Sequence, residues 1–511
     1  MGALKTIPEM LETRAKEAPD RVFLYFGDSE VSYSRLNEIA SRIANGLIAL
    51  GIKKSDKVCL YMGNCAEYIY SFFGIMKAGA VATPVNSLLK AEEVAYIVNN
   101  SDAKAIITQS KFADIIDGIR AQCPKLKNII IADTDGSSGS RIALKQLLEA
   151  ESLRPAVNID SQDIAGIIYT SGTTGYPKGV ELTHGNYLTN SEQIAAAARM
   201  TVADRFLCIL PLFHVNAQVV TTLSPMFAGA SMILLEGFSP KTFLPALARY
   251  KATAFSGVPT VYAILNTLAD AEKYDLSKLR FCICGAAPMP VEVFNTFEKR
   301  YKAFILEGFG LSEGTCASSI NPLDGKRKIG SIGLPLKGQE MRIFDADDRE
   351  LSSGKVGEIV VRGQNVMKGY YRNSQATADA LKNGWLHTGD LGYVDNEGYF
   401  YIVGRKKEMI IRGGENIYPK EAEEVLYKHS AILEAAVVGI PDKIWGEEVM
   451  AFIVLREGAA LTAEDVITYC RQHLADFKCP RKVEFVKAFP KTATGKIQKN
   501  KIVEGYARTQ A

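Results

Sequence analysis

The densest chemistry in the chain lies in one stretch, Tyr169-Thr170-Ser171-Gly172-Thr173-Thr174-Gly175-Tyr176-Pro177-Lys178-Gly179. It follows the apolar run Ile164 to Ile168 and precedes a helical stretch opened by Thr183, a residue type that caps helix N-termini. Glycines let backbone N–H groups approach a ligand, hydroxyls donate to it, and a lysine neutralises it, so the stretch suits a polyphosphate. It is not a Walker A loop, because no G-K-[ST] closes it. A second segment, Gly308-Phe309-Gly310-Leu311-Ser312-Glu313, reads as a poor G-x-G-x-x-G and lacks the βαβ setting of a dinucleotide site. From Lys478 onward nine basic residues stand against two acidic ones. Such an end segment could meet a polyanionic small molecule.

These residues need elements to hold them. Residues 1–150 alternate apolar runs with amphipathic stretches. Lys57 to Met62, Ala105 to Thr108 and Asn128 to Ile131 read as buried strands, Ala66 to Met76 as a helix, and Gly79 to Pro84 as the turn into another strand. The pattern continues to about residue 320, with strands expected near 164–170, 206–210, 231–235, 253–256, 280–284 and 303–306. Strands alternating with helices predict parallel α/β layers. From 325 to 402 short alternating runs between Gly- and Asp-rich turns predict a β-rich piece. After the charged knot Arg405-Lys406-Lys407-Glu408 comes a compact α+β tail. It has a helix started by Pro419, strands at 435–438 and 451–454, and a helix near 463–475.

Composition narrows the class. At roughly 150 residues per domain, 511 residues make three or four domain-sized pieces. A net charge of +3 carries no global nucleic-acid or membrane signature. The nine cysteines are scattered, and only Cys282 and Cys284 stand close, on one face of an expected strand. They read as buried thiols of a reducing compartment rather than metal ligands. No apolar run is long enough to span a bilayer and no signal peptide is evident, so a cytoplasmic location is expected.

Taken together, the spaced motifs resemble the adenylate-forming superfamily of acyl-CoA synthetases, adenylation domains and beetle luciferases, over nearly the whole chain. Within it the sequence looks most like bacterial long-chain-fatty-acid–CoA ligases. The resemblance implies an α/β fold with a large N-terminal domain over 1–403, made of α/β layered subdomains plus the β-rich one. A hinge at 404–408 and a small mobile α+β domain over 409–511 would complete it. It implies ATP, Mg²⁺ and CoA as cofactors and a small-molecule carboxylic acid as substrate, with no nucleic acid. It leaves peripheral membrane contact open and suits a monomer or homodimer.

Residue by residue, it implies that Thr170, Ser171, Gly172, Thr173, Thr174 and Lys178 hold the β- and γ-phosphates. Phe309 would pack on adenine, with Gly285, Ala286, Ala287 and Gly308 as the small-residue walls of the slot. Ser312 would bind the α-phosphate and Glu313 would help hold Mg²⁺. Relatives usually carry Tyr and Thr where Phe309 and Ser312 stand. In Trp385-Leu386-His387-Thr388-Gly389-Asp390, Asp390 would accept from both ribose hydroxyls, with Arg405 beside the ribose or phosphate. Lys496, in Pro490-Lys491-Thr492-Ala493-Thr494-Gly495-Lys496-Ile497, would be the adenylation lysine. There two anions must meet, and an ammonium can bridge them. The small domain would then turn about Lys407, withdraw Lys496 and present Gly413 and Gly414 beside a pantetheine tunnel lined by Trp445. Lys478 would meet the nucleotide end of CoA.

The acyl pocket is expected from 211–218, 256–260, 283–286 and 308–311, with His214, Val258, Gly310 and Leu311 named as substrate residues. His214 stands where relatives place an aromatic gate, and it argues against an amino-acid substrate. A medium- or long-chain fatty acid is the primary expectation. Asn216 and Gln218 keep open an aryl or small polar, carnitine-like acid. A loading enzyme for a separate carrier protein, a luciferase-like oxygenase and a non-catalytic sensor are the other readings.

Overall fold

The computed structural model describes residues 4–170, 176–285, 289–491 and 497–510. Two large sheets form the body. The first runs in the order Leu334–Pro335, Ser319–Ile320, Phe304–Phe309, Phe281–Cys284, Ala254–Gly257, Arg205–Cys208, Ser231–Leu234, Val22–Phe26 and Ser29–Ser32. The second runs Gly369–Tyr370, Lys178–Thr183, Ile164–Thr170, Val81–Pro84, Lys57–Tyr61, Ala105–Thr108, Asn128–Ile131 and Arg141–Ala143. Central strands of both pair in parallel, as the α/β alternation predicts; antiparallel strands close both edges of the first sheet and one edge of the second, whose other edge, Arg141–Ala143, is parallel.

Side-chain alternation explains why the second sheet is covered on both faces. Val58, Leu60, Ile107 and Ile130 join the core shared with the first sheet. Their neighbours Cys59, Tyr61, Ile106, Ile129 and Ile131 enter a separate core under the helices Ala91–Asn100 and Ala113–Ile119. Strands buried on both faces read as continuous apolar runs, which is how these runs look in the sequence.

One strand was not anticipated. It lies between the phosphate-suited stretch and the helix that Thr183 opens. Lys178–Thr183 is a strand, antiparallel to Ile164–Thr170, with Thr170 opposite Lys178. Val180 and Leu182 are buried while Glu181 between them is half-buried. That period-two signal was too short to stand out. Thr183 does open the following helix, His184–Ala197: its hydroxyl accepts from the Asn186 N–H at 3.0 Å, and Asn186 Oδ1 accepts from the Thr183 N–H at 2.8 Å.

The β-rich piece is a third sheet of Glu340–Phe344, Gly357–Arg362, Trp385–Val394 and Leu381–Lys382, with Phe400–Arg405 paired to Trp385–Val394. The small C-terminal domain is built on a fourth sheet. The short strand runs expected there are one long hairpin, Ile432–Asp442 against Gly446–Leu455. Asp442 Oδ1 accepts the N–H groups of Ile444 and Trp445 at its turn. Ala435, Val437, Ala451 and Ile453 face the helices Pro419–Tyr427 and Ala463–His473, while Ala436, Val438, Met450 and Phe452 face Phe489 and Ile502. All nine cysteines are free and buried, and burial pushes thiols such as Cys208 and Cys316 up to about 12, which keeps them unreactive. Among the described residues no helix is long and apolar enough to cross a membrane.

Candidate active site

The site gathers where the two large sheets present the carboxyl ends of their parallel strands, the usual location for ligands in open α/β sheets. Phe304–Phe309, Phe281–Cys284, Ala254–Gly257 and Arg205–Cys208 are consecutive neighbours in the first sheet. The segments that leave them are 308–311, 283–286, 256–260 and 211–218, the four named for the acyl pocket. Sequence-distant segments thus become adjacent because their strands are.

Backbone proximity explains the glycines. Cys284 pairs with Glu307 in parallel register, so Gly285 and Gly308 emerge side by side. A Cβ on Gly285 would sit 3.4 Å from the Gly308 carbonyl oxygen, and one on Gly308 would sit 2.9 Å from that of Ser319. At Gly310 the constraint is absolute, since a Cβ would lie 1.5 Å from the Cys316 carbonyl oxygen. The chain folds back on itself there through Thr315, whose φ is +68°. Buried side chains hold the turn: Asn190 donates to the Ala317 carbonyl and accepts its N–H, and Thr315 Oγ1 donates to the Asn365 carbonyl at 2.5 Å. Asn365 Nδ2 returns a bond to the Gly314 carbonyl at 3.0 Å. None of these amides was anticipated. For Asn190 the trace in the sequence is the recurrence of Asn186, Asn190 and Gln193 on the helix His184–Ala197.

A contact between the sheets carries the charge. Glu313 follows the strand Phe304–Phe309 of the first sheet, while Lys178 begins a strand of the second. Tyr370 joins them: its hydroxyl donates to Glu313 Oε1 at 2.8 Å, and Lys178 Nζ stands 5.1 Å from its ring centre. Burial, reinforced by Glu313, pushes the Tyr370 hydroxyl well above its ordinary range, so it stays a donor. Tyr370 was missed by sequence reasoning, and two adjacent tyrosines between Lys368 and Arg372 were its only trace. The Tyr370 bond occupies one oxygen of Glu313 and leaves the other for a hard cation. Among the described residues no group of three or more His, Cys, Asp or Glu gathers. A Mg²⁺ here would therefore rest on Glu313 and on ligand phosphates, which fits its preference for few protein oxygens.

Asp390 and Arg405 face each other across paired strands, with Arg405 Nε 2.9 Å from Asp390 Oδ1. Asp390 is buried and Arg405 partly exposed. Glu358 braces the turn before Asp390, accepting the Gly389 N–H at 3.0 Å and meeting His387 Nδ1 at 3.2 Å. Burial pushes its carboxyl up, but His387, the Gly389 N–H and Lys406 outweigh that and hold it below the ordinary range.

Other named residues are placed as follows. Ser312 opens the short turn Ser312–Gly314, Leu311 is partly buried, and Val258 is buried and caps the helix Pro259–Thr267. His214 precedes the short helix Val215–Gln218, its ring 4.5 Å from that of Phe213. Burial lowers it to about 4, so it is neutral. Among the described residues His214 Nε2 and Asn216 Oδ1 are buried without a hydrogen-bond partner. Gln218 is spoken for, accepting from the Tyr187 hydroxyl and donating to the Leu212 carbonyl. A π-helical turn, Val219–Leu223, follows, a feature common at functional sites. Gly413 lies against Trp445, whose carbonyl accepts its N–H at 2.9 Å, and Gly414 is open. Lys478 is held by Glu421, apart from that pair. Lys407 is exposed. Ser171, Gly172, Thr173, Thr174, Ala286, Ala287 and Lys496 lie outside the described residues.

The model of the AMP-binding enzyme family matches residues 11–371, and that of the AMP-binding enzyme C-terminal domain matches 421–496. The chain belongs to the adenylate-forming acyl-CoA ligases. It is 37% identical over 530 residues to a long-chain-fatty-acid–CoA ligase of Bacillus subtilis (strain 168), covering 98% of this chain and 94% of that protein. It is 35% identical over 506 residues to a sulfoacetate–CoA ligase of Cupriavidus necator, covering 98% and 97%. The anthranilate CoA ligase AuaEII, solved in complex with anthranoyl-AMP, superposes with a TM-score of 0.93 at 29% identity, covering 99% of this chain and 98% of that one. The activity is that of an AMP-forming acid–thiol ligase. A carboxylic acid, ATP and CoA are the family's substrates, and Mg²⁺ is its usual metal.

Two outcomes follow from this geometry. Gly310→Ala should abolish acyl-AMP formation and lower stability by about 3 kcal/mol, because backbone rather than a rotamer must yield. Single-turnover assays and denaturant melts measure both. Glu307 tests the pH dependence. Burial pushes its carboxyl up to about 7, against the Gly330 N–H and the Lys420 ammonium. The folded state therefore keeps a proton that the unfolded state releases near 4.5. That contribution is complete below about 4.5 and is lost as pH rises to about 7, a change of about 3 kcal/mol. Glu307→Gln should flatten this part of the stability–pH curve; an unchanged curve would remove Glu307 as its source.

Proposed function

We propose that the chain joins a medium- or long-chain fatty acid to CoA in two steps at one cleft. The observation that supports the reading is the adjacency of the four strands Phe304–Phe309, Phe281–Cys284, Ala254–Gly257 and Arg205–Cys208, whose following segments carry Leu311, Val258 and Phe213. Apolar side chains there suit an alkyl chain, and the Bacillus subtilis relative is named for long-chain fatty acids.

In the first step the acid's carboxylate attacks the α-phosphorus and pyrophosphate leaves. Lys178, Thr170 and residues 171–174 hold the β- and γ-phosphates, Ser312 the α-phosphate, and Glu313 the Mg²⁺. When bound, that ion neutralises phosphate charge. Phe309, Gly285, Ala286, Ala287 and Gly308 seat adenine, and Asp390 with Arg405 seats the ribose. Lys496 bridges the two reacting anions, the largest electrostatic problem of the step. In the second step the small domain, 409–511, swings on the hinge 404–408 about Lys407. It removes Lys496 and brings Gly413, Gly414 and Trp445 beside the thiol's path, with Lys478 toward the nucleotide end of CoA. The thiol then displaces AMP from the acyl carbon.

One observation favours a second reading. The unpartnered His214 Nε2 and Asn216 Oδ1 would suit an acid with its own hydrogen-bonding group. The two readings separate in an AMP-release screen over acids of graded chain length and polarity, with and without CoA. The fatty-acid reading expects turnover that climbs with chain length and depends on CoA; preference for short polar acids would end it. Lys496→Ala should abolish acyl-AMP synthesis and spare thioester formation from supplied acyl-AMP, and equal loss of both steps would contradict its role.

A further inference from the structure

The five residues Arg405 to Met409 link the β-rich sheet to the small domain, and their ion pairs divide at one residue. Upstream, Arg405 is bound to Asp390 at 2.9 Å, and Lys406 Nζ lies 3.3 Å from Glu358 Oε2. Both partners belong to the large domain. Downstream, Glu408 Oε2 lies 3.4 Å from Lys499 Nζ, in the small domain. Lys407 stands between them, exposed, and no ion pair holds it among the described residues.

Lys499 does more than meet Glu408. Its ammonium is 2.7 Å from Glu423 Oε1, on the helix Pro419–Tyr427, and that same oxygen accepts the Val437 N–H at 2.8 Å. One cation thus joins the hinge, the first helix and the central hairpin of the small domain. Burial would strip its charge, but Glu423 and Glu408 more than offset this and hold it protonated. Lys499 also begins the helix Lys499–Gln510, three positions after Lys496. The described residues on either side of 492–496 are joined: Lys491 pairs with Ile497, and the Gln498 N–H donates to the Pro490 carbonyl at 2.8 Å. Lys491 Nζ is fastened in turn to Glu434 at 2.6 Å.

We propose that Lys499 is a positioning residue that binds the distal side of the hinge, through Glu408, to the body of the small domain and to the residues flanking 492–496, confining the swivel to Lys407. The proposal rests on the reading of Lys496 as the adenylation lysine and Lys407 as the pivot. Without the ammonium, Glu408 and Glu423 would repel each other, the hinge would gain free torsions, and Lys496 would arrive over a spread of positions. Adenylation needs one position; the thioester step, for which Lys496 has been withdrawn, does not.

Two half-reactions measured on the full chain test this: single-turnover acyl-AMP formation at saturating ATP, and thioester formation from supplied acyl-AMP. Lys499→Met should slow the first by about tenfold, as expected of a small misplacement of a catalytic group, and leave the second unchanged. Lys499→Arg, which can still bridge two carboxylates, should restore the first. Glu408→Gln should slow adenylation in the same direction, and the double variant should be no slower than Lys499→Met alone, because both changes break one link. Equal slowing of both steps, or full adenylation in folded Lys499→Met, would overturn the proposal. If Lys499→Met does not fold, Glu408→Gln decides, and unimpaired adenylation there overturns it. Lys496→Ala run alongside separates the failures: if it adenylates normally, the underlying reading is wrong. If it is dead while Lys499→Met is normal, only the positioning role is.

Discussion

At Gly310 the backbone passes so close to the Cys316 carbonyl that no side-chain carbon fits between them. Much of the site follows from that contact. It turns the chain back after the strand Phe304–Phe309, and Glu313 beyond it meets Tyr370 of the second sheet, whose ring lies against Lys178. Backbone bonds within the turn are supplemented from outside it, where Asn190 meets the Ala317 carbonyl and Asn365 the Gly314 carbonyl, while Thr315 of the turn itself donates to the Asn365 carbonyl. Being buried and paired, those groups are costly to disturb, and the turn is held in one shape before any ligand arrives.

The charge pattern around this turn is asymmetric in a useful way. Lys178 stands against the Tyr370 ring and Arg405 against Asp390, so each cation has an aromatic or acidic partner that aims it. Both cations are only partly buried, so these contacts can be exchanged at modest cost. Glu307 is the opposite case: a carboxyl on the strand Phe304–Phe309 that burial pushes up to about 7 against the pull of Lys420. The hinge extends the same economy. The ion pairs there divide in the same way, Lys406 meeting Glu358 on one side and Glu408 meeting Lys499 on the other.

Much of this was legible without coordinates. Strand runs such as 105–108, 128–131 and 281–284 fall where the apolar pattern puts them, because strands buried on both faces have no polar residues to confuse the signal. The Ser/Thr/Gly stretch after Thr170 points to phosphate chemistry through residue type alone, and its residues 171–175 lie outside the described residues. Thr183 announced a helix start because capping is local.

What stayed hidden depends on pairs far apart in the chain. Tyr370 gained its place only when a short edge strand laid it beside Val180, bringing it between Lys178 and Glu313. The amides of 184–197 look like solvent-facing residues until the Gly310 turn packs against them. Gln218 looked like a hint of a polar substrate, yet Tyr187 and Leu212 consume its hydrogen bonds. Local order and ligand type come from forces acting within a few residues and can be read in one dimension. Which distant groups share a hydrogen bond is set by sheet order and packing, and composition holds no record of either.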